Sequence, residues 1–336
     1  MRAGVTILAV LGVMTGALLV TWHGVAAVGA ALQLAGWSGL AAISLFHFAP
    51  LALCALAWRM LMRRPRAGAI DFVWFRWLRD TGGEMLGMVP AVGEVISIRA
   101  MVGRGTELSL AAASTVVDLT VEICAQLVFT LLGLGILLVQ RPVDWLVRCA
   151  SVGALVLAAL VLGFALAQRL GLFHALERIT LRLAATQGWS ALGALAGLHQ
   201  HIRGIYDDRG AVGRAMALHC LAWIVGIGEA GIALALMGVP VGIATLIVLE
   251  SLTYALRSAA FFVPAAAGVQ EGGYVLLGAA LGIGPEFALA LSLLKRGREL
   301  VLGLAALALW QWLEGRSLWR RRPLARRRKS IQRADR

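Results

Sequence analysis

Four polar residues recur at intervals of four in an otherwise apolar run: Ser114, Asp118, Glu122 and Gln126, within 107–139. On a helix that spacing puts them on one face, as a polar stripe of about 18 Å at about 1.5 Å per residue. A second apolar run, 286–313, carries Ser292, Arg296 and Glu299 on one face, with Lys295 beside it. A charge at mid-bilayer costs at least about 2.5 kcal/mol on insertion scales, so these stripes must face each other or a wet cavity. Carboxylates accept hydrogen bonds from amines and hydroxyls, and guanidiniums bind phosphate or balance acids. The stripes can therefore line a path for a polar headgroup. The alternative is a structural salt bridge joining Asp118/Glu122 to Lys295/Arg296, and a buried pair of that kind can also line a pathway.

Two broken regions lie beside the stripes. The first reads "VPAVGE" (89–94) and the second "VPAAAGVQE" (263–271). Pro90 and Pro264 each remove a backbone donor and end a helix, while Gly93 and Gly268 let the chain turn and pack closely. Glu94 and Glu271 follow the breaks. Half-helix ends exposed at such places present partial charges to a headgroup or ion. After each break come a short helix, a Gly-x-Gly-x-Glu segment (103–107 and 282–286) and a long helix. Two units with this order, at about 69–139 and 242–313, have the character of an inverted repeat, the design of many transporters.

The chain as a whole must house these units in lipid. Of its 336 residues 60% are hydrophobic and 15% charged, where a soluble domain carries roughly 25% charged residues. Mean hydropathy is +0.82. Apolar segments fall at about 4–29, 36–62, 107–139, 144–168, 213–237, 242–262, 265–284 and 286–313, each near bilayer length. The first reads as an uncleaved helix rather than a signal peptide, because the next span follows so closely. Arginines crowd 59–79, 169–214 and the tail, whereas 24–36, 238–242 and 282–285 hold no basic residue. The positive-inside rule then places both termini and the two basic loops in the cytoplasm.

The expected fold is an all-α polytopic integral membrane protein. It has about six full spans plus two inverted re-entrant hairpins, or eight spans if the second hairpin crosses fully. Residues 1–315 form one transmembrane domain, with a cytoplasmic amphipathic helical loop at 169–212, and 316–336 form a basic, disordered tail held at the membrane surface. The stretch 70–88, with five charges among aromatics, suits an interfacial amphipathic helix.

Other chemistries find little support. The net charge of +13 sits in connections beside anionic headgroups, so nucleic acid is not an expected partner. Cys54, Cys124, Cys149 and Cys220 stand singly in apolar runs and read as small packing residues. His199 and His201 offer two ligands where structural zinc wants four, and His23, His47, His174 and His219 read as packing or interface residues. No HExxH, GxSxG or acid-rich metal motif occurs. No catalytic residue, metal or cofactor is expected.

The residues also resemble a known family. Pro90, Gly93, Glu94, Arg99, Asp118 and Glu122, then Pro264, Gly268, Glu271, Gly272 and Arg296, are similar to the pattern of the transmembrane, lipid-flippase domain of lysylphosphatidylglycerol synthases. The likeness is closest to its short relatives, the hopanoid-biosynthesis-associated membrane proteins, around "FFVPAAAGVQEGGYVLLGAALGI" and "ALSLLKRGREL". Where the family often has Glu-Arg ahead of the second acid, Leu119 follows Asp118 here. The chain ends at Arg336 without the soluble aminoacyl-transferase domain of full synthases, so lipid aminoacylation is not expected. The resemblance implies a flippase-like protein of the bacterial inner membrane. Its partners would be membrane lipids, hopanoid or anionic and aminoacylated phospholipids, and possible lipid-biosynthesis enzymes. The pathway residues would be Glu94, Arg99, Asp118, Glu122, Arg257, Glu271, Lys295, Arg296 and Glu299, with Pro90, Gly93, Pro264 and Gly268 at the breaks. An intramembrane lipid-modifying transferase and a membrane scaffold are the competing readings.

Overall fold

The structure, a computed structural model, describes residues 2–63, 65–85, 91–140, 197–260 and 263–334, with isolated positions at 155, 158–159 and 162–163. Pro90, Cys149, His174, most of the span at 144–168 and most of the loop 169–212 lie outside the described residues. Among the described residues the secondary structure is helical throughout. The helices are α1 (Arg2–His23), α2 (Val25–Phe46), α3 (Phe48–Met60), α4 (Ala69–Met85), α5 (Val92–Gly103), α6 (Leu108–Gln140), α7 (Leu198–Asp207), α8 (Arg209–Leu236), α9 (Ile243–Ala259), α10 (Val269–Ala280) and α11 (Pro285–Ala334). Among the described residues, three stretches are long and apolar enough to cross a membrane, Val25–Met60, Leu108–Gln140 and Arg209–Leu236.

Polarity is arranged the opposite way to a soluble protein. Lys295 is 1% exposed and Asp118 0%, whereas Trp37 is 86% and Val139 86% exposed. Large apolar side chains such as Leu18, Leu45, Leu131 and Leu304 also face outward. In water such a surface would be an aggregation hazard; in lipid it is the solvated one, and the charges find their partners inside. The chain is an integral membrane protein.

The two broken regions share one construction. In the first, α4 leads through Ala91, at φ 59, into the 12-residue α5. The chain then turns at Gly105, at φ +86, into α6. In the second, α9 leads through a 3-10 turn (Pro264–Ala266) into the 12-residue α10, and the chain turns at Gly282, at φ +80, into α11. Ala91, Ala265 and Ala266 are the non-glycine residues with left-handed backbone among those described. Such a conformation costs an alanine about 1–2 kcal/mol, so the surrounding packing holds both breaks in place.

Packing between the units is reciprocal. The lead helix of each lies on the long helix of the other, α4 along α11 and α9 along α6. Gly133 of α6 admits Ser251 of α9, and Gly303 of α11 admits Met85 of α4, each where a Cβ would overlap the neighbour. Within the first hairpin α4 and α5 meet backbone to backbone, because a Cβ on Gly93 would overlap the Arg79 carbonyl oxygen and one on Gly82 would lie 2.6 Å from the Gly93 Cα. The largest apolar cluster joins α2, α6, α8, α9, α10 and α11 through residues such as Ile43, Phe129, Leu234, Leu249 and Leu291. A second joins Trp58, Phe72, Phe75 and Met101, and a third seats Ile202 and Ile205 of α7 against α3, α6 and α8.

Two expectations are corrected here. The stretch 70–88 is not an interfacial helix in its described part: α4 buries Phe72, Phe75, Arg76, Leu78 and Arg79 inside the protein. Its aromatic and arginine face has an acidic stripe to meet, which is a better place for it than the headgroup layer. The tail is not irregular either, since α11 continues to Ala334. Its arginines, leucines and alanines favour helix.

Candidate functional site

Buried charge on α4 and α6 builds the first part of the site. Arg76 and Arg79 lie three residues apart on α4, on the face turned toward α6. Arg76 donates to Glu122 through Nη1 at 2.8 Å and Nη2 at 2.5 Å, a two-pronged fork, and through Nε to Asp80 at 2.9 Å. Arg79 donates to Asp118 at 2.7 Å and to Glu122 at 2.6 Å. Its guanidinium stacks over Trp58, 4.9 Å from the ring centroid. His219 of α8 completes the group, with Nε2 3.0 Å from Asp118 Oδ1. Charge-assisted forks of this type are about twice as strong as neutral hydrogen bonds, and a planar guanidinium suits them better than an ammonium.

The second part lies on α9, α10 and α11. Lys295 pairs with Glu250, whose other oxygen accepts from the Tyr274 hydroxyl at 2.8 Å. The ammonium also lies 5.4 Å from the Tyr254 ring and 5.6 Å from the Tyr274 ring. Arg298 pairs with Glu229 of α8, and Glu229 in turn lies 2.7 Å from His47 Nδ1. Glu299 receives Arg257 at 3.2 Å and Arg296 at 3.4 Å. Arg296 also reaches Glu271 at 3.2 Å. Glu271 has a second task, because its side chain accepts from the Gly268 backbone N–H at 2.7 Å and so caps α10.

Between the two parts is a cavity of about 360 Å³. Its charged lining consists of Asp80, Glu84, Glu94, Glu122, Glu229 and Glu250 against Arg76, Arg79 and Arg298, with His47 alongside. Six carboxylates thus face three guanidiniums. Pro50, Leu51, Phe129, Trp223 and Ile227 supply apolar wall.

Of the residues singled out from the sequence, Glu94, Glu122 and Gln126 line this cavity. Asp118 stands behind Glu122, holding Arg79 and His219. Arg257, Glu271, Lys295, Arg296 and Glu299 belong to the second network. Gly93 is a packing residue in the α4–α5 contact, Pro264 and Gly268 shape the second break, and Arg99 is on the exposed face of α5. The alternative of a bridge from Asp118/Glu122 to Lys295/Arg296 does not form. α6 packs on α7, α8 and α9, and α11 on α2, α4 and α10, so the charges of each long helix find partners elsewhere.

Sequence reasoning missed Arg76, Arg79, Asp80, Glu84, Glu229, Glu250 and Arg298 as cavity residues, and assigned His47 and His219 to packing or interface roles. A signal existed for Glu229 and Glu250, since a lone carboxylate within an apolar span is costly unless paired. The arginines of α4 offered none, because a basic stretch beside a span reads as a topology determinant.

The fold and site can now be compared with known proteins. No curated protein and no solved structure matches the chain significantly. The sequence profile of the lysylphosphatidylglycerol synthase TM region, however, matches residues 7–306, a range that takes in both broken hairpins, the ion-paired helices and the cavity between them. The chain belongs to the family of the lysylphosphatidylglycerol synthase TM region.

Proposed function

We propose that the chain is a lipid transporter that moves a polar-headed lipid between leaflets without altering it. The cavity carries this reading. At about 360 Å³ it falls within the range of small-ligand sites, about 300–1,000 Å³, and would take a headgroup while the apolar body stays in the bilayer. Its polar groups are interior, and the outer surface around it is apolar. The excess of carboxylates suits an amine or polyol head, while Arg76, Arg79 and Arg298 would balance the acids or receive a phosphate. Hopanoids and aminoacylated phospholipids are the first candidates.

In this reading about six full spans and two re-entrant hairpins of opposite orientation enclose the path, in a bacterial inner membrane, with both termini cytoplasmic. The breaks at Ala91 and at Pro264–Gly268 give the hairpins their turning points. Enzymes of lipid biosynthesis would supply or consume the cargo.

The test is leaflet exchange in liposomes holding the purified chain, with labelled amine-headed, polyol-headed and anionic lipids compared. Faster exchange of one of these, at unchanged lipid mass, is the expected result. Accumulation of a lipid of new mass without exchange would replace the transporter by an intramembrane transferase.

A further inference from the structure

Cys54 on α3, Glu122 on α6 and His219 on α8 are far apart in the chain. In the structure one ligand-type atom from each lies within 4.8 Å of the other two. His219 is 0% exposed, and its Nδ1 has no partner in good hydrogen-bond geometry, with the Cys54 side chain close enough to interact with the ring. A buried nitrogen left so costs about 1–3 kcal/mol. The other ring nitrogen faces Asp118 Oδ1 at 3.0 Å. A carboxylate there holds the proton on Nε2, so a metal at Nδ1 would take the place of any proton on that nitrogen. This is the arrangement in which a second carboxylate orients a metal-ligating imidazole.

Glu122 has capacity to spare. Its two oxygens offer about four acceptor positions. Arg76 and Arg79 occupy two on Oε2 and one on Oε1, leaving one on Oε1. Charge points the same way. With His219 neutral, as a ligand must be, Arg76 and Arg79 stand among Asp80, Asp118 and Glu122, an excess of one negative charge, and a Cys54 thiolate would add another. A divalent cation cancels both.

We propose that Cys54, Glu122 and His219 bind a divalent transition metal of the zinc type, with Asp118 holding the imidazole. One sulfur, one nitrogen and one oxygen form a ligand set suited to Zn²⁺. Tetrahedral ligation draws such atoms to about 3.5 Å apart, a shift within reach of side-chain rotation. Cys54 and Glu122 also line the cavity, so the fourth position opens toward it, for water or a headgroup oxygen. The site stands on this geometry and does not depend on the transport reading.

Cobalt(II) is the probe, added to the metal-free full-length chain in detergent. One equivalent should bind with thiolate-to-cobalt charge-transfer absorption, and Zn²⁺ should displace it. Cys54→Ser should abolish the band, while Cys124→Ser with Cys220→Ser should keep it. Asp118→Asn should weaken binding about 10–100-fold, as loss of an orienting partner does. Should Cys54→Ser fail to fold, the wild-type chain still decides: Zn²⁺ should protect Cys54 from maleimide and leave Cys220 reactive. No band in the wild type, a band that survives in Cys54→Ser, or unprotected Cys54 overturns the site, whatever the lipid-exchange assay gives.

Discussion

Arg76 and Glu250 occupy the same position, the eighth, in α4 and α9, which begin at residues 69 and 243, and they carry opposite charge. Their partners correspond as well. Asp118 and Lys295 are each the eleventh residue of their long helices, which begin at 108 and 285. Arg76 lies 3.9 Å from Asp118, and Glu250 pairs with Lys295. One unit puts its cation on the lead helix and its anion on the long helix, and the other does the reverse. Each pair is neutral in itself, and the reversal gives the two lead helices opposite charge.

The Glu250–Lys295 pair is buried, so breaking it from one side should be severe. Glu250→Gln leaves an unpaired ammonium and should destabilise by about 3–5 kcal/mol. Glu250→Gln combined with Lys295→Met should recover much of that loss, because no charge is then stranded. Thermal unfolding in detergent, followed by the loss of the monodisperse peak, measures both. A double variant no better than the single one would show that the pair does not act as a unit.

Glu122 and Asp118 should separate function from folding. Glu122 lines the cavity, and after Glu122→Gln the guanidiniums of Arg76 and Arg79 still have Asp80 and Asp118. The variant should fold, yet lose a charge-assisted contact to the headgroup worth about 1.5–3 kcal/mol, seen as about a 10–100-fold slower exchange. Asp118 is fully buried between Arg79 and His219, so Asp118→Asn should first lower the yield of folded protein. Full exchange activity in Glu122→Gln would remove the cavity from the transport path.

The α4–α5 hairpin depends on one close approach. Gly93→Ala places a methyl group on the Arg79 carbonyl oxygen and should open the hairpin, with loss of folded protein. Gly83→Ala, one turn away on α4 with nothing within 4 Å of its added Cβ, should be tolerated and gain about 0.5–1 kcal/mol from helix propensity. Expression and melting temperature of the two variants give the comparison. Equal behaviour would show that the hairpin has room that the geometry denies it.

Topology has its own check, resting on the asymmetry of the arginines. In a cysteine-free background, Arg203→Cys should react with impermeant reagent from the cytoplasmic side and Pro240→Cys from the outside. Gly284→Cys should also react from outside. If Gly284→Cys reacts from the cytoplasm, the two hairpins do not enter from opposite faces.

The membrane-embedded, all-helical character was legible from composition alone, because about twenty apolar residues in a row admit few other solutions in lipid. The broken hairpins were legible too. Proline, glycine and a following carboxylate announce a helix end by local chemistry, and both breaks lie where Pro-x-x-Gly and Pro-x-x-x-Gly stand. The Asp118–Glu122 stripe could be read from its four-residue period, and family membership from the motif residues around both breaks. Pairing was a different matter. Asp118 meets Arg79 and His219, 39 and 101 residues away, and Lys295 meets Glu250 rather than an acid of the other long helix. Every buried cation in lipid needs an anion, but the sequence offers several and the rule does not choose among them. Helix packing chooses: α4 lies on α11 and α9 on α6, bringing arginines that look like loop charge into the interior. The same packing brings Cys54, Glu122 and His219, from three separate helices, to one place, a proximity that no spacing along the chain could announce.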